Sequence, residues 1–131
     1  MIAFDTNLLV RAATNDDPAQ VAVVRQLLAL NAVFISRTVL LETEWVLRAN
    51  YRKTRAQISQ FFVELLETEN TVIENHEAIA SALDWYLLGA DFADALHLAI
   101  CGPAILHTFD QKFCKTAREQ GLTPEIRVLR T

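Results

Sequence analysis

The alternation of short apolar runs with longer helical patterns most constrains how this chain can fold. Five runs rich in β-branched and aromatic residues are predicted strands: IAF at 2–4, AVFIS at 32–36, TVI at 71–73, AILHTF at 104–109 and IRVL at 126–129. Their hydrophobicity is continuous, which is typical of strands that are buried on both faces of a parallel sheet. We therefore expect an α/β fold, a three-layer α/β/α sandwich with a parallel four- to five-stranded sheet.

Capping residues mark the helices between these strands. The predicted N-terminal caps are Asp17 before Pro18, Ser36, Thr54, Asn75 and Asp91, with Gln20 and Gln57 as capping-box partners of the first and third. Two helices often fit between successive strands, and a last helix is expected from Asp110 to near Gly121.

The length of 131 residues suits a single domain that spans residues 1–131. No apolar run approaches the roughly 18 to 20 residues that a membrane-spanning helix needs, and no basic leader precedes the first strand. We therefore expect a cytoplasmic protein without a membrane anchor. The net charge of −4 speaks against nucleic acid, but RANYRKTR at 48–55 places several cations together. A solvated helix end is the alternative for that run.

Four acidic residues are expected near the carboxyl ends of the predicted strands, where ligand sites lie in parallel sheets. Asp5 is expected as the last residue of the first strand, and Asp110 follows the fourth strand directly. Glu42 is expected in the second turn of the helix that leaves the second strand, and Asp94 in the first turn of its helix. Asp5 and Asp110 have an alternative role as helix caps, and Asp91 with Asp94 as a capping pair.

No structural role as an ion-pair partner explains Glu42, because its neighbours one helical turn away, such as Val39 and Trp45, include no cation. Glu44, by contrast, lies four residues before Arg48 in the orientation of an exposed ion pair. Trp45 and the seven phenylalanines are expected in the core. So is His97, as a hydrogen-bonded histidine, with proximity to a metal as its alternative.

Several carboxylates in one place need a positive partner, since two of them about 4 Å apart repel by roughly 4 kcal/mol at an effective dielectric constant of about 20. Carboxylate oxygens without a His or Cys cluster favour Mg²⁺ or Mn²⁺ over Zn²⁺. We therefore predict a metal-dependent site at Asp5, Glu42, Asp94 and Asp110.

The motifs MIAFDTNLLVR, TVLLETEWVLR, GADFADALHLAIC and HTFDQKF resemble, in order and context, those of PIN domains, most closely the VapC-type toxins of toxin–antitoxin pairs. The resemblance implies an Mg²⁺- or Mn²⁺-dependent endoribonuclease whose catalytic and metal-binding residues are the same four acids. It also implies lesser roles for Asn7, Asp91 and Thr108. Relatives often carry an acid where this chain has Lys112.

The partners implied by the resemblance are an RNA substrate, a VapB-like antitoxin and a second copy of the chain in a homodimer. Candidate contacts to the RNA backbone are Arg11, Arg48, Arg52 and Lys53. The alternative function is a non-catalytic, Mg²⁺-binding signalling or binding module with an acidic pocket. A receiver-like module, however, needs an Asp after the third strand, where this chain has Glu74 and Asn75. The apolar pattern at 58–66 suits either core packing or a partner surface.

Overall fold

The computed structural model describes all residues from 1 to 131. The strands are β1 (Ile2–Ala3), β2 (Val33–Ile35), β3 (Thr71–Ile73), β4 (Leu106–Thr108) and β5 (Ile126–Val128). The helices are α1 (Thr6–Thr14), α2 (Pro18–Leu30), α3 (Arg37–Ala49), α4 (Arg55–Glu67), α5 (His76–Leu87), α6 (Phe92–Ala99) and α7 (Lys115–Glu119). Every strand lies within a predicted run, and two helices separate each successive pair among the first four strands.

The chain divides into two compact units, Met1–His76 and Glu77–Thr131. The first contains β1 to β3 with α1 to α4, and the second contains β4, β5, α6 and α7. A single domain over residues 1–131 stays a prediction.

In the first unit, three parallel strands pair in the order β1-β2-β3, with Ala3 opposite Phe34 and Ile35 opposite Ile73. Helix α1 packs against α2 and α3, while α4 packs against α3 and β3. Because β1 and β2 are parallel neighbours, their carboxyl ends lie side by side. The chain therefore brings the start of α1 next to the start of α3.

In the second unit, β4 pairs with β5 in parallel, and Thr108 lies opposite Val128. The α/β class with parallel strands is confirmed, but the five strands form sheets of three and two rather than one ladder of four to five. The strands are only two or three residues long. Each therefore offers few backbone groups for pairing, and β4 and β5 satisfy theirs with each other.

The side chains of Asp17, Ser36, Thr54 and Asp91 accept hydrogen bonds from backbone amides as predicted caps of α2, α3, α4 and α6. Thr54 also forms the full capping box with Gln57.

Three details of the predicted helix ends are wrong. The Gln20 side chain accepts a hydrogen bond from Arg11 Nε at 2.7 Å instead of closing a capping box. Asn75 has a left-handed backbone, with φ at 55°, and its side-chain oxygen accepts from Arg37 at 3.1 Å. The last helix begins at Lys115 rather than Asp110, because the left-handed backbone of Cys114, with φ at 45°, interrupts a helix there.

The core contains buried apolar side chains from both units, including Ile58, Phe62 and Leu65 from the 58–66 pattern. Core packing thus accounts for these three positions. Two aromatic predictions are wrong: Trp45 is 54% exposed and Phe109 is 66% exposed, so neither side chain lies in the core. None of the helices combines the length and the apolar character needed to cross a lipid bilayer.

Candidate functional site

Asp5 occupies the turn between β1 and α1, where its side chain caps the helix. Its Oδ1 accepts a hydrogen bond from the Asn7 amide at 2.8 Å. This bond fixes one carboxylate oxygen and leaves the other for an outside partner. Asn7 itself is exposed and lines a cavity of about 430 Å³ between α1 and α2.

Glu42 is connected to the same turn through Thr6. The Thr6 hydroxyl donates a short hydrogen bond to Glu42 Oε1, although the two residues are 36 positions apart in sequence. Thr6 is buried, with 7% of its surface exposed, whereas Glu42 is exposed. Sequence reasoning missed Thr6, whose only signal was its place between the two polar residues of the D-T-N motif.

The sequence predicted an ion pair for Glu44 and none for Glu42, and the structure agrees: Glu44 pairs with Arg48, with Nε and Oε2 2.8 Å apart. The expected exposure of that pair is wrong for Glu44, which is buried. Glu42 has no cation within ion-pair distance and accepts from Thr6 instead. A hydroxyl donor orients a carboxylate without cancelling its charge, so Glu42 keeps its capacity to bind a cation.

In the second unit, Asp94 lies in the first turn of α6, three residues after the helix cap Asp91. Asp91 Oδ1 accepts a hydrogen bond from the Asp94 amide at 3.0 Å. The Asp94 side chain is partly buried, and this burial is the main cause that raises its pKa above the ordinary range of aspartate. The charges of Asp91 and Asp110 add to the effect, and that of His97 opposes it. The charged form of Asp94 is thus disfavoured first by burial and then by two neighbouring carboxylates.

Asp110 follows β4 in a turn that fixes its side chain. Its amide donates to Thr108 Oγ1 at 3.0 Å, and its Oδ1 accepts from the Lys112 amide at 2.8 Å. The second carboxylate oxygen is left for an outside partner, as in Asp5. Thr108 thus holds the turn that presents Asp110.

Two further titratable groups lie near Asp94. His97 is exposed rather than in the core as predicted, because α6 buries Ala95, Leu96 and Leu98 around it instead. Cys114 is buried, and burial, with the charge of Asp94 next in importance, raises the pKa of its thiol to about 11. Cys114 therefore stays a neutral thiol at physiological pH.

The donor set is chemically suited to a hard divalent cation. The oxygens offered by Asp5 and Glu42 in one unit, and by Asp94 and Asp110 in the other, are all carboxylate oxygens. Within either unit alone, no group of three or more His, Cys, Asp or Glu side chains is arranged to hold a metal ion.

The cations predicted to contact RNA have varied surroundings. Arg11 binds Gln20, Asp16 and the Tyr51 hydroxyl, and the bond to Tyr51 is the main cause that raises its pKa. The Arg11 guanidinium therefore stabilises contacts within the first unit. Arg48 pairs with Glu44.

The other two predicted cations follow α3. Arg52 is exposed and has a left-handed backbone, with φ at 53°. Lys53 is half-buried beside a cavity of about 470 Å³ that α4 also lines.

Comparison with known proteins assigns a family model to most of the chain. The model described as "PIN domain" matches residues 2–119. Among solved structures, the VapC20 toxin of Mycobacterium tuberculosis, described as cleaving the sarcin-ricin loop, is 20% identical, with 97% of this chain and 99% of that chain covered and a TM-score of 0.44. No curated protein matches the chain significantly.

Proposed function

The chain belongs to the PIN-domain family, and from that premise we propose that it is a divalent-metal-dependent endoribonuclease, the toxin of a VapC-type toxin–antitoxin pair. Its reaction would be the hydrolysis of RNA phosphodiester bonds. The observation that carries the proposal is the group of acids at α6, where partly buried Asp94 lies within the electrostatic reach of both Asp91 and Asp110. An enzyme tolerates such uncompensated negative charge where a cation binds in the working state.

Asp5, Glu42, Asp94 and Asp110 would hold the ion, which we take to be Mg²⁺ or Mn²⁺ because all the donors are carboxylates. When bound, the ion supplies a water of lowered pKa and offsets negative charge on the scissile phosphate.

The chain's own residues prepare the carboxylates for this task. The Thr6 hydroxyl holds Glu42, and the amides of Asn7 and Lys112 each fix one oxygen of Asp5 and Asp110. Each contact limits rotation of a carboxylate before the ion arrives, which lowers the entropy cost of binding. Asp91 keeps a lesser role, because its Oδ1 caps α6.

The proposed partners follow from the same resemblance. They are an RNA substrate, a VapB-like antitoxin and a second copy of the chain, and the proposed location is the cytoplasm. Light scattering over a dilution series tests the homodimer, and a strictly monomeric mass at every concentration would contradict it.

Cleavage of a structured RNA with Mg²⁺ or Mn²⁺ tests the activity. We expect cleavage by the wild type, its loss on addition of a chelator, and a loss of at least about a hundredfold in Asp5→Asn and Asp94→Asn. The matched control is Asp84→Asn, an equal change at an exposed position of α5 outside the four motifs. Equal rates for Asp94→Asn and Asp84→Asn would refute the assignment.

Calorimetric titration with Mn²⁺ separates the enzyme from the alternative, a non-catalytic binding module. The enzyme requires Mn²⁺ binding that Asp94→Asn weakens, together with cleavage. Binding of Mn²⁺ by a wild type that leaves RNA intact would indicate the binding module instead.

A further inference from the structure

The lysines and arginines of the second unit are confined to its C-terminal part. After Arg55 the next cation in the chain is Lys112, although many acids lie between them. Residues 111–131 then contain five of the chain's 12 Lys and Arg but only two of its 16 Asp and Glu. In a chain with a net charge of −4, this segment is locally positive.

Four of those five cations surround one pocket, which we call the cationic pocket. Its volume is about 360 Å³, and its lining residues are Gln111, Lys112, Lys115, Arg118, Val128 and Arg130. No acidic residue lines it. The pocket is therefore suited to an anion.

The contacts of these cations within the protein neutralise little of their positive charge, which stays available to bind an anion. Lys115 Nζ is 4.0 Å from Glu119 in an exposed pair, which contributes little. One guanidinium nitrogen of Arg118 donates to the Gln111 carbonyl at 2.9 Å, a contact that orients the group without neutralising it. The side chains of Lys112 and Arg130 have no acidic group within ion-pair distance.

The cationic pocket is joined to the proposed site at Asp110. The Lys112 amide, at 2.8 Å, fixes one oxygen of the Asp110 carboxylate, so a metal ligand and a pocket residue share one turn. A strand of RNA whose scissile phosphate lies at Asp110 would therefore carry a neighbouring phosphate towards the pocket. An acidic peptide has no scissile phosphate to be held at the ion beside Asp110, so nothing would direct it past that residue.

We propose that the cationic pocket binds a backbone phosphate of the RNA beside the scissile one, an inference that rests on the proposed function. Guanidinium groups bind phosphate oxygens in pairs, and ammonium groups bind them as point charges. Lys112 and Arg130 supply the readily available charge, while Arg118 is held in place by Gln111. The pocket sets the direction of the strand across the carboxylates.

Binding of a fluorescein-labelled single-stranded oligoribonucleotide, followed by fluorescence anisotropy over a range of salt concentrations, tests the proposal. All variants carry Asp94→Asn and are measured with Mg²⁺, so that cleavage does not interfere. The test variant combines Lys112→Gln with Arg130→Gln, neither of which makes an ion pair. The matched control is Arg25→Gln, which removes an exposed charge on α2.

Each phosphate contact to a single strand contributes about 0.7 to the slope of log affinity against log salt. The test variant should therefore lower the magnitude of the slope by about 1.4, and affinity roughly tenfold for each cation at about 50 mM salt. Arg25→Gln should change neither quantity. A test variant that matches Arg25→Gln, or a parent protein that binds no RNA, would overturn the proposal.

Two further ligands distinguish the source of the anion. A poly-glutamate peptide whose binding depends on Lys112 and Arg130, while RNA binding does not, would make the pocket a peptide site and overturn the proposal. Inorganic phosphate that binds there more tightly than the RNA would do the same. Pocket-dependent RNA binding by a wild type that cleaves no RNA would support the pocket while refuting the nuclease.

Discussion

Replacing Thr6 by valine removes one hydroxyl group and keeps the shape of the side chain. That hydroxyl is the donor that orients Glu42, and Thr6 itself is 7% exposed. The substitution therefore leaves the packing of α1 intact and releases a carboxylate of the proposed metal site. It tests whether Thr6 positions Glu42 or merely fills space.

The free-energy cost follows from the burial of the two partners. A hydrogen bond to a charged group contributes about 1.5 to 3 kcal/mol. Because Glu42 is exposed, water replaces the lost donor there, and we expect about 1 kcal/mol of stability to be lost in Thr6→Val. For a chain of 131 residues this lowers Tm by about 3 to 5 °C. Mn²⁺ affinity and RNA cleavage should fall at least about tenfold, as when a group that orients a metal ligand is removed.

Thr43→Val is the matched control on the helix that carries Glu42. Thr43 is fully buried, and its hydroxyl donates at 2.7 Å to the Val39 carbonyl, which is not part of the site. Thermal unfolding should show a loss in both variants, whereas calorimetry should show weakened Mn²⁺ binding in Thr6→Val alone. Thr6→Ser should retain both properties. If Thr6→Val binds Mn²⁺ and cleaves RNA as the wild type does, Thr6 does not position Glu42.

Three further outcomes are expected. The raised pKa of Asp94 means that the native protein binds more protons than the unfolded chain at acid pH, so its free energy of unfolding falls as pH rises through the acid range. Urea unfolding in chelator should therefore show that the stability of Asp94→Asn relative to the wild type increases with pH. A difference in stability that does not change with pH would contradict this. At pH 8 about one in a thousand Cys114 thiols is ionised, so iodoacetamide should modify half-exposed Cys101 first, as peptide mapping can show. Thr54→Ala should cost about 1 kcal/mol in urea unfolding and Thr54→Ser little, because only alanine opens the capping box of α4.

The sequence by itself determined the secondary structure and its order. Strand positions depend on local apolar runs, and caps such as Ser36 and Thr54 depend on partners three residues away. Such short-range signals need no tertiary structure, because one turn of helix already brings the two groups together. The sequence also predicted that Glu44 forms an ion pair and Glu42 does not, because Arg48 lies four residues after Glu44.

Only the tertiary structure decided which distant groups meet. The bond between Thr6 and Glu42 depends on β1 and β2 being parallel neighbours, which places the starts of α1 and α3 side by side. The cationic pocket likewise exists because the chain after β5 returns Arg130 to the vicinity of Lys112. Exposure of Trp45 and Phe109 could not be inferred either, because an apolar residue in an apolar segment becomes buried only where another element covers it. Local chemistry fixes the elements, whereas long-range contacts are fixed by which elements become neighbours.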